Sequence, residues 1–197
     1  MKAFVSKLGQ ILLLVLLTPF LLLGAILALL YIPVDHIRYK RSHYYKDFGL
    51  RYHVFVGISP YYRLYEVIKK NDLPIRYIKT TGDGEHIAHG YFLYGDTLIF
   101  NDFSNVYYND DENLWVYEFE DRWISVDEMI ETSIDDLRDR GGYDGIMKGV
   151  ILIKRNSFAD DDLPRAEKSG RFILYDKKCE AEALKHYISA AKKTEID

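Results

Sequence analysis

The longest uninterrupted pattern in this chain is apolar. From Ile11 to Ile32 only Thr18, Pro19 and Gly24 fall outside the hydrophobic set, so 22 positions hold 19 hydrophobic residues. As a helix this run extends about 33 Å, against a hydrocarbon core of roughly 30 Å, which predicts one transmembrane helix over 11–32. Pro19 is compatible with that reading, because membrane helices tolerate proline where neighbouring groups satisfy the freed carbonyl. The run exceeds the apolar core of about 7–15 residues found in signal peptides. Ala25 and Ala28 are also one residue too far apart for an A-x-A cleavage site, so the expectation is an uncleaved anchor preceded by a short flank, 1–10.

Beyond the anchor the pattern breaks into shorter periods. Residues 33–46 carry Arg38, Lys40, Arg41 and Lys46 and are expected to form a basic juxtamembrane linker, whose cations interleave with Tyr31, Tyr39, Tyr44 and Tyr45 as an interfacial aromatic belt. Arg51 to Val56 alternates like a strand. Ser59 and Pro60 then supply a cap and a first helical position, with Leu64, Val67 and Ile68 on one face through Lys70. Leu73–Lys79, Tyr91–Tyr94, Thr97–Asn101 and Leu114–Glu120 read as strands, with a glycine-bounded turn at 81–84. Ser125 and Glu128 fit a capping box ahead of the apolar stripe Val126, Met129, Ile130, Ile134 and Leu137, which Gly141 and Gly142 end. Val150–Ile153 and Phe172–Tyr175 are further strands, and Glu180–Ala191 a last helix. The fold class expected is therefore α/β or α+β: one transmembrane helix, then a mixed β-sheet domain over 47–192 covered by helices, and a tail, 193–197.

Charge sharpens this division. The whole chain has a formal net charge of −4, but six of its 26 cations precede residue 47. Residues 47–197 hold 20 cations against 29 acids, a balance of −9. Such a domain has no electrostatic footprint for a polyanion, which argues against nucleic acid as a partner. Cations are slightly denser after the apolar run than before it, so the positive-inside tendency favours a cytoplasmic domain. The lone Cys179 excludes an internal disulfide. It is expected to be a half-buried structural thiol, since the nearest candidate base, His186, lies two helical turns on.

The usual phosphate-loop, dinucleotide, hydrolase-elbow and zinc-finger motifs are missing from the sequence. Asp83, Glu85, His86 and His89 are candidate metal ligands by type, although polar residues in a glycine-bounded loop also serve solvation. Asp110–Glu112 and Asp160–Asp162 lack the alternating ligands of a calcium loop and read as a solvated turn and the approach to a short helix. The acids on the predicted helix after Ser125 (Asp127, Glu128, Glu131, Asp135, Asp136, Asp139) follow its polar side and read as a solvated face. A richer arrangement joins Glu66 on the first helix, Asp96 at a central strand, and Glu118 with Glu120 on the next. Residues two apart on a strand share a face, and clustered carboxylates suit Mg²⁺ or Mn²⁺, which can activate water for phosphoryl displacement.

In this element order and these acids the chain resembles the restriction-endonuclease-like superfamily, over roughly residues 60–155. That resemblance implies a helix–three-strand–helix–strand core. It assigns Glu66 to the first-helix acid, Asp96 to the motif aspartate and Glu118 to the metal-binding acid. Glu120 stands where the motif usually has lysine, although some members carry glutamate there. Two functional expectations follow. The leading one is a membrane-anchored interaction, assembly or regulatory module without catalytic activity or cofactor, whose partners are the bilayer and a membrane or cytoplasmic protein. The alternative is an Mg- or Mn-dependent phosphodiesterase or nuclease-like enzyme using Glu66, Asp96, Glu118 and Glu120.

Overall fold

A computed structural model describes residues 2–49, 59–79, 90–101, 106–119, 122–141, 145–176 and 179–194. The chain divides into two compact units, Met1–Gly57 and Ile58–Asp197. The expected strand Arg51–Val56 lies outside the described residues.

The first unit is built on helix α1, Lys2–Arg41, which runs through both Pro19 and Pro33. Each proline lacks the N–H that would bond the carbonyl four residues back, yet neither ends the helix. The segment expected to be a linker, 33–46, is thus mostly helical. No glycine follows Ile32 until Gly49, and the Tyr31 hydroxyl donates to Asp35 Oδ1 at 3.3 Å one turn on. The stop comes at Ser42. Its Oγ donates to the Tyr39 carbonyl at 2.6 Å and accepts from the Tyr45 N–H at 3.1 Å, capping the short helix α2, His43–Phe48. Gly49 closes α2 in the left-handed region at φ +59°, with its N–H on the Tyr45 carbonyl. Tyr39 packs edge-on to Tyr45 at 5.4 Å, and Tyr44 against Phe48 at 4.9 Å.

The second unit holds a five-stranded mixed sheet. Helix α3, Pro60–Lys70, precedes β1 (Arg76–Lys79), β2 (Gly90–Tyr94) and β3 (Thr97–Asn101). β1 starts three residues later than the pattern predicts, because Pro74 cannot donate to a ladder and Leu73 still belongs to the end of α3. There Asp72 takes φ +49°, and the Leu73 N–H reaches the Ile68 carbonyl at 3.0 Å, the Schellman arrangement of a helix terminus. β4 (Val106–Asn109), β5 (Leu114–Phe119) and β6 (Arg122–Ser125) form a separate three-stranded antiparallel sheet. Helix α4 (Val126–Gly141) follows β6 without a break. β7 (Lys148–Lys154), helix α5 (Leu163–Ser169), β8 (Phe172–Tyr175) and helix α6 (Glu180–Thr194) complete the chain.

The larger sheet has the order β1-β2-β3-β7-β8, antiparallel through β3 and parallel from β3 to β8. Both of its faces are covered, and the pleat sorts its residues between them. Leu93, Leu98, Ile151 and Ile153 join a core with Val106, Trp115 and Tyr117 of the smaller sheet and Val126, Ile130, Ile134 and Leu137 of α4. The alternate positions meet the α3 and α6 layer: Tyr61 stacks with Phe92, Tyr65 meets Tyr77 edge-on, and Tyr94 meets Tyr187. The Asn101 side chain ties the end of β3 to the Pro60 carbonyl at 3.1 Å. The mixed sheet covered by helices matches the expectation, with the smaller sheet as an added part of one covering layer.

Candidate functional site

In the first unit the residues that could act together are those of α1. Phe20, Leu21, Leu22, Leu23, Leu29 and Leu30 each expose more than half of their surface. The stretch from Leu17 to Arg41 is long and apolar enough to cross a membrane once. Arg38, Lys40 and Arg41 close its last turn, where cations also oppose the negative end of the helix dipole. Apolar side chains of this size exposed all round a helix need a non-aqueous partner, and bilayer lipid is one that the helix length fits.

In the second unit the acids expected to converge lie on different parts of the fold. Glu66 is buried in the middle of α3, in the helical layer behind the larger sheet. Asp96 sits in the β2–β3 turn at the start of β3. There it accepts from Thr97 Oγ1 at 3.0 Å and pairs with Lys148 Nζ at 3.6 Å across the parallel β3–β7 register. Its carbonyl takes the Met147 N–H at 3.0 Å, so Asp96 ties together the starts of two central strands. Glu118 is exposed on β5 of the other sheet, on the side opposite Trp115 and Tyr117. Glu120 and the loop acids and imidazoles Asp83, Glu85, His86 and His89 lie outside the described residues. Among the described residues no three carboxylate, imidazole or thiol groups come together as metal ligands.

Other polar groups have structural employment. Asp136 of α4 accepts from the Tyr91 hydroxyl at 2.8 Å, Asp135 pairs with Arg138, and Asp127 pairs with Arg171. Half of the acids expected to form a solvated face are therefore engaged. Asp110, in the turn after β4, pairs with Arg165 at 2.9 Å, and the same guanidinium lies 3.9 Å from the Tyr108 ring centre. Asp160 to Asp162 lead into α5 as expected. Arg63 reaches Glu180 at 3.4 Å, joining α3 to the first residue of α6. Burial, and then the electrostatic influence of the Tyr61 phenol, push the Tyr117 hydroxyl above the usual tyrosine range.

Cys179 is exposed, not half-buried, immediately before Glu180 opens α6. Its carbonyl accepts the Ala183 N–H at 3.1 Å, which places its backbone, but not its thiol, in the helix start.

The tyrosine-rich sequence offers many aromatic candidates, Tyr107 among them, but not its pairing with Trp123. Trp123 on β6 and Tyr107 on β4 lie against each other on the outward side of the smaller sheet, ring centres 4.6 Å apart and edge to face. They are 53% and 37% exposed. Alternation along β4 and β6 would have put both on that side, had these four-residue strands been recognised.

The chain matches no protein-family model, no curated protein and no solved structure.

Proposed function

We propose that this protein is a single-pass membrane protein whose acidic α/β domain lies on the cytoplasmic side and serves as an interaction, assembly or regulatory module. The observation that carries the reading is α1, a helix with exposed apolar side chains over the length of a bilayer and a cationic end. Three cations in its last turn, followed by Lys46, favour retention of that end on the cytoplasmic face. The second unit adds a surface with two large aromatic side chains in contact and exposed, the residue types that dominate protein interfaces. The described acids do not favour the nuclease-like alternative, because Glu66, Asp96 and Glu118 stand in separate layers.

Cys179 provides the test of sidedness, being the only thiol and exposed. Intact cells treated with a membrane-impermeant maleimide should leave it unmodified, and permeabilised cells should modify it in full. Modification in intact cells would place the domain on the other side.

A further inference from the structure

Outside α1, three large hydrophobic side chains are exposed among the described residues: Tyr107, Trp123 and Met147. Two of the three adjoin. Tyr107 is the cross-strand partner of Val116, whose other partner is Ser125. Trp123 projects two residues before Ser125, so both rings flank Val116, which is only 4% exposed although it points outward. The β4–β5–β6 sheet thus has a packed inner face and an outward aromatic plateau.

The described charge on this sheet is mainly acidic. From Val106 to Ser125 the described residues hold Asp110, Asp111, Glu112 and Glu118 against the cation Arg122, and of these acids Asp110 is paired with Arg165. Asp111 and Glu112 are exposed in the β4–β5 turn, and Glu118 is the register partner of Trp123. Indole and phenol faces attract ammonium and guanidinium groups, and the aliphatic stems of lysine and arginine lie well on rings.

We propose that this outward face docks a cationic, arginine- or lysine-bearing segment of a partner protein, the cations stacking on Trp123 and Tyr107 within an acidic rim. Charge selects this occupant over two others. An anionic headgroup surface would be repelled by the rim, and a second copy placed face to face would set the same acids opposite each other. The inference rests on the interaction-module reading and names its surface and partner class.

The test uses the full chain in phosphatidylcholine nanodiscs, with a fluorescent twelve-residue peptide of alternating arginine and serine as probe and a glutamate–serine peptide as control. Fluorescence anisotropy should show saturable binding of the cationic peptide only, weakening as salt rises. Trp123→Ala should weaken it about tenfold or more, and Tyr107→Ala by less, whereas Trp123→Tyr should retain most of it. Thermal unfolding of each variant, followed by circular dichroism, should match the parent, so that loss of binding is read at the surface. Equal affinity in Trp123→Ala, or no binding by the parent, overturns the proposal. So does self-association that Trp123→Ala abolishes, which would make a second copy the occupant, or tryptophan shielding on added phosphatidylserine vesicles, which would make it the membrane. Cross-linking in the native membrane separates the inference from the reading beneath it. A partner protein held equally by Trp123→Ala keeps the module reading and sinks this surface, while the absence of any cross-linked partner sinks both.

Discussion

Gly149 offers the sharpest test of how the layers meet. It lies in β7 opposite Leu98 of β3, under α4 where that helix crosses the sheet. A Cβ placed there would stand 2.6 Å from Ile130 Cγ2, 3.0 Å from Phe100 Cε2 and 3.2 Å from Ile130 Cγ1. Carbon atoms in contact prefer about 3.5–4.0 Å, so the overlap with Ile130 is about 1 Å. Ile130 is 4% exposed and β-branched on a helix, where it has one strongly preferred χ1 rotamer. It cannot swing aside cheaply, and α4 must lift. Overpacking of this kind costs about 1–3 kcal/mol, offset by about 0.4–1 kcal/mol from the stiffer unfolded chain. Gly149→Ala should therefore destabilise the second unit by about 1–2 kcal/mol, or about 2–8 °C in Tm. Urea titration of the full chain in detergent micelles, followed by tryptophan fluorescence, reads this through Trp115 in the shared core. Ile130→Ala alone should cost about 2–5 kcal/mol, but it removes the two Ile130 atoms that the new Cβ would meet, leaving Phe100 Cε2 at 3.0 Å. The double variant should recover about 1 kcal/mol or more relative to the sum. Additive losses, or a Gly149→Ala chain as stable as the parent, would refute the close approach of α4 to β7.

Three further outcomes are expected. Asp72 occupies a left-handed position where glycine is the usual residue, so Asp72→Gly should raise stability by a few tenths to about 1 kcal/mol in the same urea assay, whereas Asp72→Val should lower it. Because the folded pKa of Tyr117 is raised above its unfolded value, its contribution is complete below pH ~10 and is lost as pH rises through the folded value. Tyr117→Phe should flatten that alkaline loss of stability in melts run across the range, and an unchanged pH slope would contradict the assignment. Arg165→Ala removes a guanidinium stacked on Tyr108 and an exposed pair with Asp110; the expected loss is at most about 1 kcal/mol, measured by denaturant midpoint.

What could be read from the residues alone followed from how long each pattern persists. The stripe from Val126 to Leu137 and the apolar run of β7 repeat often enough to declare their period, and α4 and β7 lie where that period puts them. β4 and β6 are four residues each, two turns of the alternation, and β6 passes straight into α4, so the capping signal at Ser125 was visible while the strand before it was not. The basic residues after Ile32 suggest a linker, but Pro33 fixes a helix-compatible φ and costs one hydrogen bond, which α1 absorbs. The carboxylates show the harder limit. Alternation gives the side of a strand on which Glu118 stands, but not that β5 belongs to a different sheet from Asp96. The pairing of Tyr107 with Trp123 across 16 positions is likewise a product of registers that no local pattern carries.

Retention of α1 in the membrane, as proposed above, is tested by one measurement. The membrane fraction of expressing cells is washed with alkaline carbonate, and the mass of the retained protein is determined intact. The protein is expected in the pellet, with a mass that still includes the apolar run of α1. Release into the wash, or a species shortened by the length of the apolar run, would show a peripheral or cleaved protein and contradict it.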